Sequence, residues 1–87
     1  MKPTNQAAVD LKKAITDSVT LLRRLRDEIR VDIHLAQMDA KDRWHALEPQ
    51  FAVAEKAAHE ISEATKHTLS ATVEAFQLLK ASLAAKH

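Results

Sequence analysis

Three side chains of this sequence have ligand chemistry at regular spacing: His59, Glu63 and His67. They are four residues apart, so on one continuous helix they would share a face and offer nitrogen and oxygen ligands to zinc or another divalent ion. The outer two would, however, be separated by about 12 Å of helix rise. We therefore predict no metal site and no cofactor, and we treat these three residues as the only metal candidates.

A row of arginines is the second feature with binding chemistry. Arg23, Arg26 and Arg30 follow one another at helical spacing and could bind nucleic-acid phosphates or an anionic surface. No aromatic residue lies between them to stack on bases. If the chain folds back on itself, Glu48 and Glu55 lie opposite Arg26 and Arg23. We predict ion pairs here, and an anion-binding basic flank on the first helix is the alternative.

Enzymatic chemistry has no basis in the sequence pattern. We find no nucleophile beside a base, no inward pair of carboxylates and no Gly-rich phosphate loop. The chain has no Gly and no Cys, so tight Gly loops, disulfides and thiolate metal sites are excluded. We predict that the protein is not an enzyme.

The charge balance bounds the class of partner. Lys and Arg number 13 against 12 Asp and Glu, which leaves a net charge of +1. Nucleic acid is therefore not an expected partner, because no bulk positive field attracts it. No stretch approaches the roughly 18 apolar residues of a membrane span, and the first residues lack the apolar core of a signal peptide. We expect a soluble, cytoplasmic protein.

The absence of Gly and the abundance of Ala, Leu, Lys, Glu and Arg predict an all-α fold. Apolar or small residues recur at steps of three and four in the first half of the chain: Leu11, Ala14, Ser18, Leu22, Leu25, Ile29, Ile33 and Ala36. Asp39 and Arg43 would enter this face if the helix continued. The pattern therefore predicts a reversal at residues 37–39, with Asp39 capping the next helix.

The second half of the chain shows a similar apolar row. Its members are Trp44, Leu47, Phe51, Ala54, Ala58, Ile61, Thr65, Leu69, Thr72, Phe76, Leu79 and Leu83. Leu47 and Phe51 stay in phase across Pro49, so the proline either kinks one long helix or separates a short helix from a third segment. Both alternatives stay open. Trp44 is expected to be a packed corner of the hairpin opposite Ile33 rather than a binding site.

The second helix is longer than the first if the chain reverses near residue 38. Leaving Leu69, Phe76, Leu79 and Leu83 in water would forgo on the order of 1.5–3 kcal/mol each. We therefore predict that residues 1–87 form one antiparallel helical hairpin, which dimerises into a four-helix bundle of the coiled-coil type. The residues expected to drive self-association are Leu22, Leu25, Ile29, Ile33, Phe51, Ile61, Leu69, Phe76, Leu79 and Leu83.

The function that fits these expectations is a small structural or adaptor-type interaction module. Its first expected partner is a second copy of the chain, and another protein is the second. Val31, Leu35 and Met38 form a short apolar strip on the far side of the first helix, and this strip also indicates contact with another chain.

The residues Trp44, His45 and Ala46, at the midpoint of two long helical segments, resemble the Trp-x-Gly family of small type VII secretion substrates. The resemblance implies a helical hairpin that dimerises. Ala46 stands where the family has Gly, Pro49 is not expected, and the chain has no Tyr for the family's C-terminal export signal. A hairpin like these substrates is therefore a further alternative for the architecture, and export is not carried over.

Overall fold

The computed structural model describes the backbone of residues 3–85 and the side chains of residues 9–85. It contains the α-helices α1 (Pro3–Ile33), α2 (Met38–Ala57) and α3 (Glu63–Ala85), and all three pairs of helices are in contact. The predicted all-α fold is confirmed, and no strand occurs within the described backbone. None of these three helices combines the length and apolar character needed to cross a membrane.

The first corner, residues 34–37, joins α1 to α2 close to the predicted reversal at 37–39. Gln37 precedes α2 in an extended conformation and makes no side-chain capping hydrogen bond. Asp39, predicted to be the cap, lies instead in the first turn of α2, where its carboxylate interacts favourably with the helix dipole. The position of this corner was therefore nearly right, and its capping residue was wrong.

The second corner, residues 58–62, was not predicted. The Ser62 hydroxyl oxygen accepts the Thr65 backbone N–H at 3.1 Å, and the Ser62 hydroxyl donates to Thr65 Oγ1 at 3.0 Å. The Thr65 hydroxyl in turn donates to the carbonyl oxygen of Ala57 at 3.2 Å. These bonds satisfy groups that the end of α2 and the start of α3 would leave unpaired. They tie the two helices together at the corner.

The two-helix hairpin is therefore wrong, because the chain reverses twice and forms three helices. The hairpin implied by the resemblance to the Trp-x-Gly family fails for the same reason, and Trp44 lies within α2 rather than at a hairpin loop. Pro49 also lies inside α2, with its side chain exposed and Phe51 buried beyond it. Of the two alternatives for Pro49, separation of two helices is wrong.

The core runs through the middle of the bundle. Its buried apolar residues are Ile15, Leu22, Leu25, Ile29, Ile33, Ala40, Trp44, Phe51, Ala54, Leu69, Phe76, Leu79 and Leu83. The rings of Trp44 and Phe76 meet edge to face, with centroids 5.2 Å apart and an interplanar angle of 72°. Such an aromatic pair adds to the energy of burial alone. Trp44 is packed, as expected, but it joins α2 to α3 as well as lying near Ile33.

The late apolar residues are already covered within one chain. Leu69, Phe76 and Leu79 have no exposed surface, and Leu83 is 5% exposed. The second corner produces this result by returning α3 along both α1 and α2. All the residues expected to drive self-association are buried in the single chain except Ile61, which is 42% exposed. The uncovered row from which the dimer was predicted does not exist.

Neither corner uses a left-handed backbone conformation. No residue in the described backbone has a positive φ angle. Glycine is the residue that most readily adopts such angles at the ends of helices, and this chain has none. Both corners are therefore built from conformations that ordinary residues adopt.

Candidate interaction surfaces

The grooves between the helices are lined by the residues next to the buried rows of α2 and α3. The buried residues of α3 recur at steps of four and three from Thr65 to Leu83, and α2 follows the same rule from Ala40 to Ala54, with half-buried Leu47 in the row. The residues that follow the buried ones therefore lie on one flank of each helix, and those that precede them lie on the other. Ion pairs identify which neighbour each flank faces.

Two ion pairs close the groove between α1 and α2, which we call the α1/α2 groove. Arg23 donates from Nε and Nη2 to one oxygen of Glu55 at 3.0 and 2.7 Å. Arg30 donates in the same way to Glu48 at 2.9 and 2.7 Å. The predicted Arg23–Glu55 pair is confirmed, whereas the partner of Glu48 is Arg30 and not Arg26. The flank of α2 that follows its buried row therefore faces α1.

Arg26, the third arginine of the row, is held by an aromatic ring. Its guanidinium carbon lies 4.3 Å from the ring centroid of Phe51, within the range of a cation–π interaction. It also pairs with Asp27 at 3.1 Å. All three arginines thus have a carboxylate partner, and the observed arrangement is one of structural pairing.

A cleft of about 460 Å³ opens at the end of the α1/α2 groove that adjoins the first corner. Its most buried lining residues are Ile33 and Trp44. Its more exposed lining residues include His34, Lys41 and His45. The cleft thus combines an apolar floor with nitrogen-bearing walls.

The groove between α1 and α3, the α1/α3 groove, contains a cluster of three charged side chains. Lys80, which follows the buried Leu79, donates to Glu28 at 2.5 Å, and Arg24 donates to the other oxygen of Glu28 at 3.4 Å. The hydrogen bond from Lys80 holds the pKa of Glu28 below its ordinary value, and the charges of Lys80 and Arg24 add to this effect while desolvation opposes it. The flank of α3 that follows its buried row therefore faces α1.

Replacing Glu28 by Gln is expected to lower the thermal stability of the protein at neutral pH. In acid, the two proteins should unfold at nearly the same temperature. A carboxylate whose pKa is lowered by folding stabilises the fold above its ordinary pKa, and this stabilisation disappears as the pH falls through the folded-state value. Thermal unfolding of both proteins between about pH 7 and pH 3 measures the difference. Glu74→Gln, an exposed change on α3, is the control. A Glu28→Gln difference that stays constant over this range would contradict the expectation.

The groove between α2 and α3, the α2/α3 groove, differs from the other two. Its walls are the flanks that precede the buried rows. By helical phase, the α3 residues on this flank include Ala64, Thr68, Ala75, Leu78 and Ser82, and the α2 residues are Asp39, Arg43, Ala46, Gln50, Val53 and Ala57. The α3 wall carries no charged residue, and no ion pair in the described part of the chain joins α2 to α3. The α3 wall is therefore made mostly of small residues, and the charges of this groove are those of Asp39 and Arg43 on the α2 wall.

The two largest apolar side chains of the α2/α3 groove are exposed. Val53 is 57% exposed and Leu78 is 63% exposed. Alanine and serine residues flank them. Small side chains of this kind allow the axis of another helix to come close. The flanks of α2 and α3 that precede the buried rows therefore carry exposed apolar surface.

The metal candidates do not share one helix. His59 lies in the second corner, Glu63 begins α3, and His67 is one turn further along α3. The break in the helix changes the regular spacing on which a shared face depended. Among the described residues, no three His, Cys, Asp or Glu side chains converge in a way that could hold a metal ion.

Comparison with known proteins gives no relative for this bundle. No protein-family model, no curated protein sequence and no solved structure matches the chain.

Proposed function

We propose that this protein is a non-enzymatic interaction module that binds helical protein surfaces through the α2/α3 groove, with a second copy of the chain as its partner. The observation that carries the proposal is the contrast between the grooves. The α1/α2 and α1/α3 grooves are bridged by ion pairs. Among the described residues no ion pair bridges the α2/α3 groove, and Val53 and Leu78 on its flanks are exposed.

Burial of the exposed apolar residues supplies a driving force for association. Full burial of a Val or Leu side chain contributes roughly 1.5–3 kcal/mol, and Val53 and Leu78 still expose more than half of their surface. In a symmetric pair each residue contributes twice, because both copies use the same surface. The alanines on the same flanks of α2 and α3 allow close packing, which increases the contact that each buried side chain makes.

The charges of the α2/α3 groove support a second copy as the partner. The only charged residues on its walls are Asp39 and Arg43, which have opposite signs. Two copies of this surface therefore meet without a net like charge, which would otherwise oppose association. Pairing two α2–α3 layers would create a four-helix layer with a new apolar centre. This arrangement differs from the predicted four-helix bundle, because the existing core stays within each chain.

The non-enzymatic part of the proposal rests on the sequence. No Gly-rich phosphate loop and no nucleophile–base pair accompanies the helices. The arginine row is engaged by Glu48, Glu55 and Asp27, so the observed pairing favours the interaction module over an anionic-surface binder that uses Arg23, Arg26 and Arg30.

Sedimentation equilibrium from about 1 to 100 µM tests the proposal. We expect the unmodified chain to form dimers within this range. Leu78→Glu should weaken association by about tenfold or more, because a carboxylate would be placed in an apolar contact. Leu35→Glu is the matched control: Leu35 is 86% exposed at the first corner and lies outside the α2/α3 groove.

Two results would overturn the proposal. A chain that stays monomeric over the whole range has no second copy as its partner. A dimer that dissociates with Leu35→Glu but not with Leu78→Glu associates through the first corner, and the α2/α3 groove is then not its contact surface. Circular dichroism of each variant establishes that the three helices are retained.

A further inference from the structure

We infer that the cleft at the first corner is a binding site for a small anion that carries an apolar group. The cleft has a volume of about 460 Å³ and lies between α1 and α2. It is separate from the α2/α3 groove, so the inference does not rest on the proposed function. Two features of its lining, the free nitrogen groups and the apolar floor, together define the class of ligand.

The nitrogen groups come from both sides of the corner. His34 lies just after α1, whereas Lys41 and His45 lie on the first turns of α2. Within the described part of the chain, none of the three makes a side-chain hydrogen bond or an ion pair. Lys41 supplies a free positive charge, and each imidazole ring supplies an N–H donor. These groups can therefore bind an anion without breaking an existing contact.

The carboxylate that lines the same cleft does not cancel this charge. Glu48 is bound by Arg30 through two hydrogen bonds to one oxygen, so each neutralises the other. The remaining charge of the lining is that of Lys41. No residue of α3 lines the cleft. A phosphate or carboxylate group placed between the walls would consequently meet a net positive charge.

The floor of the cleft selects for an apolar portion of the ligand. Ile33 and Trp44 are the most buried lining residues, at 9% and 5% exposed. The surface that the cleft leaves exposed between its walls is nevertheless mainly apolar, so a short alkyl or aromatic group would cover it, whereas a ligand that only carried charge would not. The volume is in the lower part of the range of small-molecule sites.

Fluorescence of Trp44 tests the inference, because it is the only Trp of the chain and lines the cleft. Hexyl phosphate is the probe, with inorganic phosphate and hexanol as its charged and apolar halves. We expect saturable binding of hexyl phosphate with a Kd of about 1–10 mM, and weaker binding of either half. Lys41→Gln should raise this Kd about two- to fivefold, and His45→Gln should change it in the same direction.

Lys66→Gln is the matched control, since Lys66 is an exposed lysine near the other end of the bundle. It should leave the Kd of hexyl phosphate unchanged. The inference is wrong if hexyl phosphate produces no saturable change, or if hexanol binds equally well. It is also wrong if Lys66→Gln weakens binding as much as Lys41→Gln does, since the effect would then be one of overall charge.

Discussion

Replacing Phe76 by Ala is expected to lower the free energy of unfolding by about 3–5 kcal/mol. Phe76 has no exposed surface, and its ring meets Trp44 edge to face. The change removes the buried ring and leaves a cavity that neighbouring helices fill only in part. Domains have total stabilities of about 5–15 kcal/mol, so the variant would lose a large share of its stability.

Urea denaturation followed by circular dichroism measures this loss. Phe76→Leu is the control, because it keeps most of the volume and should cost much less than the Ala variant. The loss should be the same at about 1 and 100 µM protein, since Phe76 is buried within one chain and not between two. A cost below about 1 kcal/mol, or one that depends strongly on concentration, would contradict this packing.

Replacing Pro49 by Ala is expected to increase the free energy of unfolding by about 1–3 kcal/mol. Pro49 lies inside α2 and cannot donate to the carbonyl of His45, four residues earlier. Alanine restores this donor and removes the contact between the proline ring and the preceding turn. The larger conformational freedom of alanine in the unfolded chain offsets part of the gain, by about 0.4–1 kcal/mol.

The same denaturation experiment measures the effect of Pro49→Ala. Gln50→Ala, a change at the next exposed position of α2, is the control and should shift stability by no more than about 0.5 kcal/mol. An unchanged or lower stability of Pro49→Ala would mean that the helix gains more from the proline than the missing hydrogen bond costs. It would also point to a role for the proline in positioning Glu48 for its pair with Arg30.

The first half of the fold could be predicted because a continued helix would have buried charge. Asp39 and Arg43 fall on the apolar face, and this conflict located the first corner within a few residues. The capping residue could not be identified in the same way. Gln37 occupies that position without a side-chain bond, so no strong capping residue marks the beginning of α2.

The second corner was missed because the apolar row stays in phase across it. Ala58, Ile61 and Thr65 continue the spacing of Phe51 and Ala54, so one long helix and two helices with a break give the same pattern. No Gly or Pro marks the break. The available signal was Ser62 with Thr65 three residues later, a spacing at which a hydroxyl can cap a new helix.

The candidate surfaces were predicted unevenly for a related reason. Ion pairs between oppositely charged rows can be located from sequence, and Arg23–Glu55 was identified in this way. The α2/α3 groove could not be predicted, because the predicted hairpin placed the residues of α2 and α3 on one long helix. The groove exists only because α3 returns along α2. Its signal in the sequence is a second row of mostly small, uncharged residues, from Ala64 to Ser82, one position ahead of the buried row.

The negative φ angles of both corners have a consequence for how this bundle tolerates change. A corner that needs a left-handed residue restricts that position to glycine and a few polar alternatives. Here every described position accepts the backbone of an ordinary amino acid. Mutational constraint on the chain therefore falls on side-chain volume in the core, on charge along the grooves and on the hydroxyl of Ser62, while the backbone of the other corner positions leaves them free to diversify in response to new ligands.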